Sequence, residues 1–182
     1  LPIITGISTL DCFATYDATD GLKEFTAYAN DTLDGGATSI ASLSVNQTVD
    51  DDKQVGGVRF TASGKRITVN SGKTLTVGNG TDPAMIIFNN TCAVYGPGTI
   101  NFGGSEGIFW ANNTVGAPPH MTDAVLAGSG GVSYGASAVQ HYDYKYRITR
   151  ANTYTGGTYI NGCAVWPEHA GAFSSGDVYV GS

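Results

Sequence analysis

The run from Asn152 to Gly162 reads Asn-Thr-Tyr-Thr-Gly-Gly-Thr-Tyr-Ile-Asn-Gly and contains the signals for a turn, a strand and a second turn. Asn152 tolerates a left-handed backbone or closes an Asx-turn, and the Gly156-Gly157 pair accepts positive φ because glycine has no Cβ. The next residues, Thr158 to Ile160, are β-branched or aromatic and favour a short strand. This close succession of corner and strand predicts one corner of a stacked β coil.

The same run resembles the autotransporter-associated β-strand repeat, whose signature reads NTYTGGT-x-I-N-G. Segments on both sides extend the resemblance: Gly104 to Trp110, Val125 to Val132 and Ala170 to Val180. The likeness is therefore strongest over residues 104–182. It implies a parallel β-helix of the kind found in secreted and surface-displayed passengers.

Two places depart from that repeat. Cys163 stands where the family usually has Gly or Ala, and Tyr142 to Ile148 replaces a plainer Gly-Thr-Leu-x-Leu strand. Because Cys163 follows the motif directly, a covalent tie between subunits is first expected at this coil.

Short strands separated by Gly, Asn and Pro fill the chain from Gly57 onward. The candidate strands are Gly57 to Thr61, Arg66 to Val69, Thr74 to Val77, Met85 to Phe88, Ala93 to Tyr95, Thr99 to Phe102 and Gly107 to Trp110. Apolar and polar residues alternate within them, as half-buried strands require. A sandwich gives similar spacing, and the repeat resemblance favours a solenoid with a rung of roughly 20 to 25 residues. We therefore predict an all-β fold, a parallel right-handed β-helix or closely related β-solenoid.

Two regions follow from this pattern. Residues 1–50 are predicted to be an N-terminal cap over the first rung, or a segment that adds a strand to a neighbour. Residues 51–182 are predicted to be the β-solenoid. The one stretch that suits a short helix is Ala18 to Asn30, with Thr19 or Asp20 as its cap.

Composition excludes several classes of partner. Fifteen acidic residues against nine basic ones give a formal charge of −6, and the basic residues are scattered, so nucleic acid is not expected. No stretch approaches the roughly 18 apolar residues of a transmembrane segment. The chain begins with Leu1, so we expect a processed mature form or a fragment, and a removed secretory signal is the simplest account.

Cysteines and sequons are the candidate covalent sites. Cys12, Cys92 and Cys163 lack zinc-type spacing; they are candidates for one internal disulfide and one thiol left for a neighbouring subunit, or are small buried hydrophobes. Five asparagines fit Asn-x-Ser/Thr and are candidate N-glycosylation sites: Asn30, Asn46, Asn79, Asn89 and Asn112.

No pattern of residues predicts catalysis, a cofactor or a metal site. The run Asp50 to Asp52 lacks the spacing of a calcium loop and indicates a solvated turn. Glu106 and Glu168 are isolated, whereas glycoside hydrolysis needs two carboxylates about 5 to 9.5 Å apart. Asp143 to Arg147 reads as a polar face opposite an aromatic ladder. His120, His141 and His169 accompany no recognisable nucleophile.

The expected function is therefore structural. The prediction is a non-enzymatic, extracellular, cell-surface protein that self-assembles through β-strand edges into a filament, sheath or surface layer, with covalent glycans as a further expectation. One alternative is a fragment of an autotransporter-type adhesin passenger. Another is a carbohydrate-active enzyme or carbohydrate-binding module on the same scaffold.

Overall fold

The computed structural model of the chain describes residues 3–4, 12–112, 120–137 and 145–181. Within these residues the protein is all-β and has no helix, and its parallel strands stack as a β-solenoid, which confirms the predicted fold class. The first half of the described strands are β1 Ile3–Ile4, β2 Cys12–Asp17, β3 Gly21–Glu24, β4 Ala29–Asn30, β5 Gly36–Leu43, β6 Gln47–Val49, β7 Lys53–Phe60, β8 Arg66–Val69, β9 Thr74–Val77 and β10 Ala84–Asn89. The rest are β11 Ala93–Tyr95, β12 Thr99–Asn101, β13 Gly107–Asn112, β14 His120–Thr122, β15 Val125–Ala127, β16 Val132–Ala136, β17 Lys145–Ile148, β18 Thr158–Asn161, β19 Ala164–Pro167 and β20 Val178–Gly181.

Each turn of the solenoid places its strands on successive faces. One face stacks β5, the second part of β7, β10, β13, β16, β18 and β20, and a second face stacks β6, β8, β11, β14, β17 and β19. The first part of β7 continues into a third face, formed with β9, β12 and β15. All of these pairs are parallel, and the six strands of the second face correspond to about six turns.

The register repeats coil by coil. On the first face one inward position is occupied in turn by Val58, Ile86, Phe109, Tyr134, Ile160 and Val180. Successive members of this column are 20 to 28 residues apart, so some coils are slightly longer than the roughly 20 to 25 residues expected from sequence. The alternation predicted for Arg66 to Val69 and Thr74 to Val77 is present, because Ile67, Val69, Leu75 and Val77 are all buried.

Aromatic rings fill much of the core. Phe60, Phe88, Phe109 and Tyr134 form a continuous stack in which neighbouring rings are parallel within 10° and 5.4 to 5.8 Å apart. Tyr146 lies against this stack and its hydroxyl donates a hydrogen bond to the carbonyl of Gly135 at 2.7 Å. Such rings bury large apolar areas in a favoured offset geometry, so each coil is fixed on the one before it.

Asn152 was predicted to form a turn, but its side chain forms hydrogen bonds between coils. It is buried and has no positive φ. Its Oδ1 accepts a hydrogen bond from the N–H of Leu126 at 2.8 Å, and its Nδ2 donates to the carbonyl of Ala172 at 2.6 Å. The side chain therefore connects the preceding coil to the following one, and its interpretation as a turn residue was wrong.

The Gly156-Gly157 pair is also required for a different reason. Neither glycine has positive φ. A Cβ on Gly156 would lie 2.4 Å from the backbone nitrogen of Gly131, so the pair is needed because two coils approach closely at this corner. Gly162, at the second turn, has φ of +64°, as a left-handed turn requires.

The N-terminal segment lies against the side of the solenoid. Strands β2 and β3 form an antiparallel hairpin, and Phe13 packs with Ile40, Met85 and Ile87 on the outward side of the first face. The helix considered for Ala18 to Asn30 is wrong, because this segment contains a turn followed by β3 and β4. The hairpin is favoured over a helix because Phe13 and the neighbouring Phe25 bury apolar surface against the first face.

The solenoid is closed where it starts. Parallel pairing begins with β4 and β5, inside the region 1–50. The loop between these strands inserts Leu33 into the main core, so that Leu43, Val49 and Val55 of the first turn are completely buried. Asp31, at φ of 54°, holds this loop by accepting hydrogen bonds from Ser44. The boundary at residue 50 stays a prediction.

Candidate functional site

The end of the solenoid formed by β18, β19 and β20, which we call the open end, exposes residues that face the core elsewhere. Val178 and Val180 point inward, in the columns of Thr158 and Ile160, yet are 44% and 75% exposed. Val165 and Phe173 are only half-buried against the same core. Among the described residues no further coil covers them.

Backbone groups are also unpaired at the open end. The N–H of Thr158 donates to the carbonyl of Asp177 at 2.8 Å, and Thr158 is the register partner of Val178. In a parallel ladder alternate residues direct both backbone groups to the same side. The N–H and C=O groups of Val178 and Val180 therefore face away from β18. Within the described chain, β20 pairs with no other strand.

The outward side of the first face carries two exposed tyrosines close to the open end. Tyr159 and Tyr179 are register partners, and their rings stack at 4.9 Å and 10°. The Tyr179 hydroxyl donates to Asp177 at 3.3 Å, and the nearby negative charge of Asp177 raises the pKa of the phenol. The stack fixes both rings in one orientation.

A cleft of about 370 Å³ lies beside Tyr159. Its lining comprises Glu106, Gly131, Ser133, Tyr159 and Asn161, drawn from three successive coils. The hydroxyl of Ser133 donates a short hydrogen bond to Oε1 of Glu106, which holds the carboxylate in place. Among the described residues no hydrogen bond reaches Oε2 of Glu106. The sequence shows Glu106 as an isolated acid and gives no sign of the cleft, because its walls are about one coil apart in the chain.

The other isolated glutamate is paired. Glu168 receives two hydrogen bonds from the guanidinium of Arg147, at 2.7 and 2.8 Å. The Arg147 partner lowers the pKa of Glu168, and Glu168 raises the pKa of Arg147. Glu106 and Glu168 belong to different faces of the solenoid, so the structure does not bring them together as an acid and base pair.

No disulfide joins any two of the three cysteines. Cys12 is buried in the hairpin, and Cys92 is buried with its Sγ donating to the carbonyls of Asn89 and Ala62. Burial raises the pKa of Cys92, and it raises the pKa of Cys163 to about 11. Cys163 is half-buried near the open end, and a disulfide between subunits through it stays a prediction.

The five sequons differ in accessibility. Asn30, Asn46 and Asn79 are exposed, although the last two use their side-chain oxygens as hydrogen-bond acceptors, Asn46 from Arg66 and Asn79 from Thr81. Asn89 and Asn112 are half-buried, and Nδ2 of Asn89 donates to a backbone carbonyl. Residues 113–114 of the last sequon lie outside the described residues. Glycosylation at any of the five stays a prediction.

The remaining polar candidates show structural roles. Asp50 to Asp52 form an exposed turn, where Asp52 accepts a hydrogen bond from Thr74. His120 is buried on Phe88, with ring centroids 4.7 Å apart, and desolvation lowers its pKa to about 4. Of the segment Asp143 to Arg147, residues 143–144 lie outside the described residues, as does His141.

Among the described residues there is no cluster of side chains that could hold a metal ion, and there is no helix long and apolar enough to cross a membrane. No known protein family, curated protein or solved structure matches this chain. The resemblance to the autotransporter-associated repeat therefore stays a prediction drawn from the residues themselves.

Proposed function

We propose that this chain is a non-enzymatic structural protein of the cell exterior that assembles with further copies of itself through the open end. The observation that carries the proposal is the difference between the two ends of the solenoid. The first turn is closed by Leu33, whereas Val178 and Val180 expose both inward-facing side chains and unpaired backbone groups. An edge with these two properties is suited to accept another β-strand.

The energy of a single edge contact is small. Val178 and Val180 offer four outward backbone groups, and at about 0.5 to 1.5 kcal/mol for each hydrogen bond they contribute about 2 to 6 kcal/mol. Covering the two valines, which are 44% and 75% exposed, adds for each a corresponding fraction of the about 1.5 to 3 kcal/mol that full burial gives. Because association itself costs at least about 4 kcal/mol, assembly is expected to require high protein concentration or many repeated contacts. A filament, sheath or layer supplies such repetition.

The start of the solenoid also has strand edges. In the described part of the chain, β6 pairs only with β8, so its other edge is available even though the core above it is closed. A filament would therefore join two unlike surfaces, the open end of one copy and the β6 edge of the next. Joining two open ends would give a closed dimer instead.

Val180→Pro tests this proposal, because it removes an outward N–H and leaves the hydrogen bonds between β18 and β20 in place. Val180→Ile is the matched control, since it keeps both the backbone donor and an apolar side chain at this inward position, which Ile86 and Ile160 occupy in other coils. Sedimentation velocity and negative-stain electron microscopy over a concentration series are the measurements. Wild type and Val180→Ile are expected to assemble, and Val180→Pro to stay monomeric with an unchanged circular dichroism spectrum.

A monomer at every concentration for all three proteins would refute self-assembly. The same open end also suits a stem in which the next coil belongs to the same polypeptide, as in an adhesin passenger. In that case the open reading frame continues the glycine-rich repeat past residue 182, and the isolated chain does not form ordered polymers.

A further inference from the structure

The outward side of the first face is divided into two halves. In the half that includes Ile40, Met85 and Ile87, apolar residues are covered by the N-terminal segment through Phe13. The other half, which we call the bare face, carries Ser133, Gly135, Tyr159, Asn161 and Tyr179 in successive coils; the first two are buried and the last three are exposed. The bare face is polar and aromatic where the covered half is apolar, so the two halves suit different partners.

The cleft beside Tyr159 is the most developed feature of the bare face. Tyr179 stacks on one side of the Tyr159 ring, and Tyr179 does not line the cleft, so the cleft opens on the other side of that ring. Gly131 contributes to the wall of the cleft, and the edge of the Tyr159 ring lies directly over it: a Cβ added to Gly131 would lie 2.6 Å from the carbonyl oxygen of Gly157 and 3.1 Å from the ring edge of Tyr159. The absence of a side chain at Gly131 therefore lets the Tyr159 ring lie close to the sheet.

Polar side chains lie around the Tyr159 ring, where they could form hydrogen bonds that orient a ligand. Oε2 of Glu106 is an acceptor that no hydrogen bond between described residues occupies, while Oε1 is fixed by Ser133. Asn161 is exposed and its amide provides both a donor and an acceptor. The lining is more polar than that of most small-molecule sites and offers one aromatic ring with several polar groups, which suits a polar ligand, and the volume of about 370 Å³ falls at the low end of such sites.

We propose that the cleft binds an uncharged hexopyranose unit of an oligosaccharide or polysaccharide. A pyranose ring has a flat C–H face that packs on Tyr159 and equatorial hydroxyls at its rim. One hydroxyl donates to Oε2 of Glu106, as a charge-assisted hydrogen bond, and another exchanges hydrogen bonds with the amide of Asn161. No covalent step is involved, so the site is one of recognition.

Charge selects against other ligands of similar size. The lining holds one carboxylate and no cation, and Asp177 adds a second negative charge beside the tyrosines. Uronates, sulfated sugars and phosphates are therefore disfavoured by repulsion. A lone carboxylate also falls short of the oxygen ligands that a calcium ion needs. Neutral sugars satisfy the same groups without this cost.

Isothermal titration with cellohexaose, mannohexaose and chitohexaose tests the proposal, with trigalacturonate as the anionic comparison. The informative variants are Tyr159→Phe, which keeps the ring, and Tyr159→Leu, which keeps apolar bulk and loses the ring. Tyr16→Leu is the matched control, because Tyr16 is 76% exposed on β2, outside the cleft. Glu106→Gln removes the charge and keeps an acceptor for Ser133.

At least one neutral hexasaccharide is expected to bind more tightly than trigalacturonate. Tyr159→Leu should weaken that binding by about tenfold or more, whereas Tyr159→Phe and Tyr16→Leu should stay within about threefold of wild type. Glu106→Gln should also weaken it. Binding of none of the three hexasaccharides at about 10 mM, tighter binding of trigalacturonate, or equal affinity in Tyr159→Leu would each overturn the proposal.

The site is independent of self-assembly. The cleft lies on the side of the solenoid, whereas the outward backbone groups of Val180 lie at its end. Val180→Pro is therefore expected to leave sugar affinity unchanged, and Tyr159→Leu to leave sedimentation unchanged.

Discussion

Replacing Asn152 by Ala is expected to cause a large loss of stability. Asn152 is 7% exposed, and its amide bridges the N–H of Leu126 and the carbonyl of Ala172. Removing the side chain leaves both backbone groups buried without these partners. At about 1 to 3 kcal/mol for each unsatisfied group, the free energy of unfolding should fall by about 4 kcal/mol. That is a large part of the roughly 5 to 15 kcal/mol typical of folded domains.

Urea unfolding followed by circular dichroism and tryptophan fluorescence measures this change. Asn70→Ala is the matched control, because Asn70 is exposed and its hydrogen bonds are made by its backbone. The control is expected to shift the free energy of unfolding by less than about 0.5 kcal/mol. A loss below about 1 kcal/mol in Asn152→Ala would refute the view that this amide holds the coils together.

Three other outcomes follow from buried groups. Desolvation lowers the pKa of His120 to about 4 in the folded state against 6.5 for the free side chain, so the unfolded chain takes up the proton first as the pH falls. The free energy of unfolding should therefore fall by up to about 3 kcal/mol between pH 6.5 and 4. Urea titrations over the same pH range should show a smaller fall for His120→Gln, and an equal fall would contradict the role of His120. Gly156→Ala should lower the free energy of unfolding by about 3 kcal/mol, because the new Cβ would collide with the backbone of Gly131. Gly162→Asn, at a left-handed turn with open space around it, should cost less than about 1 kcal/mol in the same urea titration. Equal losses in the two variants would contradict the view that Gly156 is required by the close approach of two coils. Burial raises the pKa of Cys163 to about 11, so Ellman's reagent should modify this thiol slowly at neutral pH and faster after unfolding. Rapid modification of Cys163 in the native protein would contradict its burial.

Local patterns in the sequence predict much of this fold. The strand pattern at Arg66 to Val69 and Thr74 to Val77 is confirmed as β8 and β9, because alternation depends only on which side of one strand is buried. Gly162 is likewise recognisable as a turn residue from its neighbours. These features depend on contacts close in the chain, which is why a single sequence shows them.

The errors concern contacts between coils. Asn152 and Gly156 look like turn residues, yet their tasks are set by Leu126 and Gly131, about one coil earlier in the chain. No local signal gives the coil length with enough accuracy to align such partners. The N-terminal hairpin was missed for a similar reason, because Phe13 is matched to an apolar surface that later coils build.

The candidate site likewise combines residues that can be recognised in the sequence with contacts between coils that cannot. Glu106 and Tyr159 are visible in the sequence as an isolated acid and a strand tyrosine, but the cleft between them exists only after β13, β16 and β18 are stacked. The Tyr159 and Tyr179 pair depends on the register of β18 with β20. The open end can likewise be recognised only from the structure, because the sequence does not show that the exposed Val178 and Val180 face inward.

Amide hydrogen exchange at β20 tests the central claim most directly. The N–H of Tyr179 points toward β18, and those of Val178 and Val180 point outward. At low concentration we expect protection at Tyr179 and rapid exchange at the two valines, and at assembling concentration we expect all three to be protected. Rapid exchange at Val178 and Val180 under both conditions would contradict assembly through this edge.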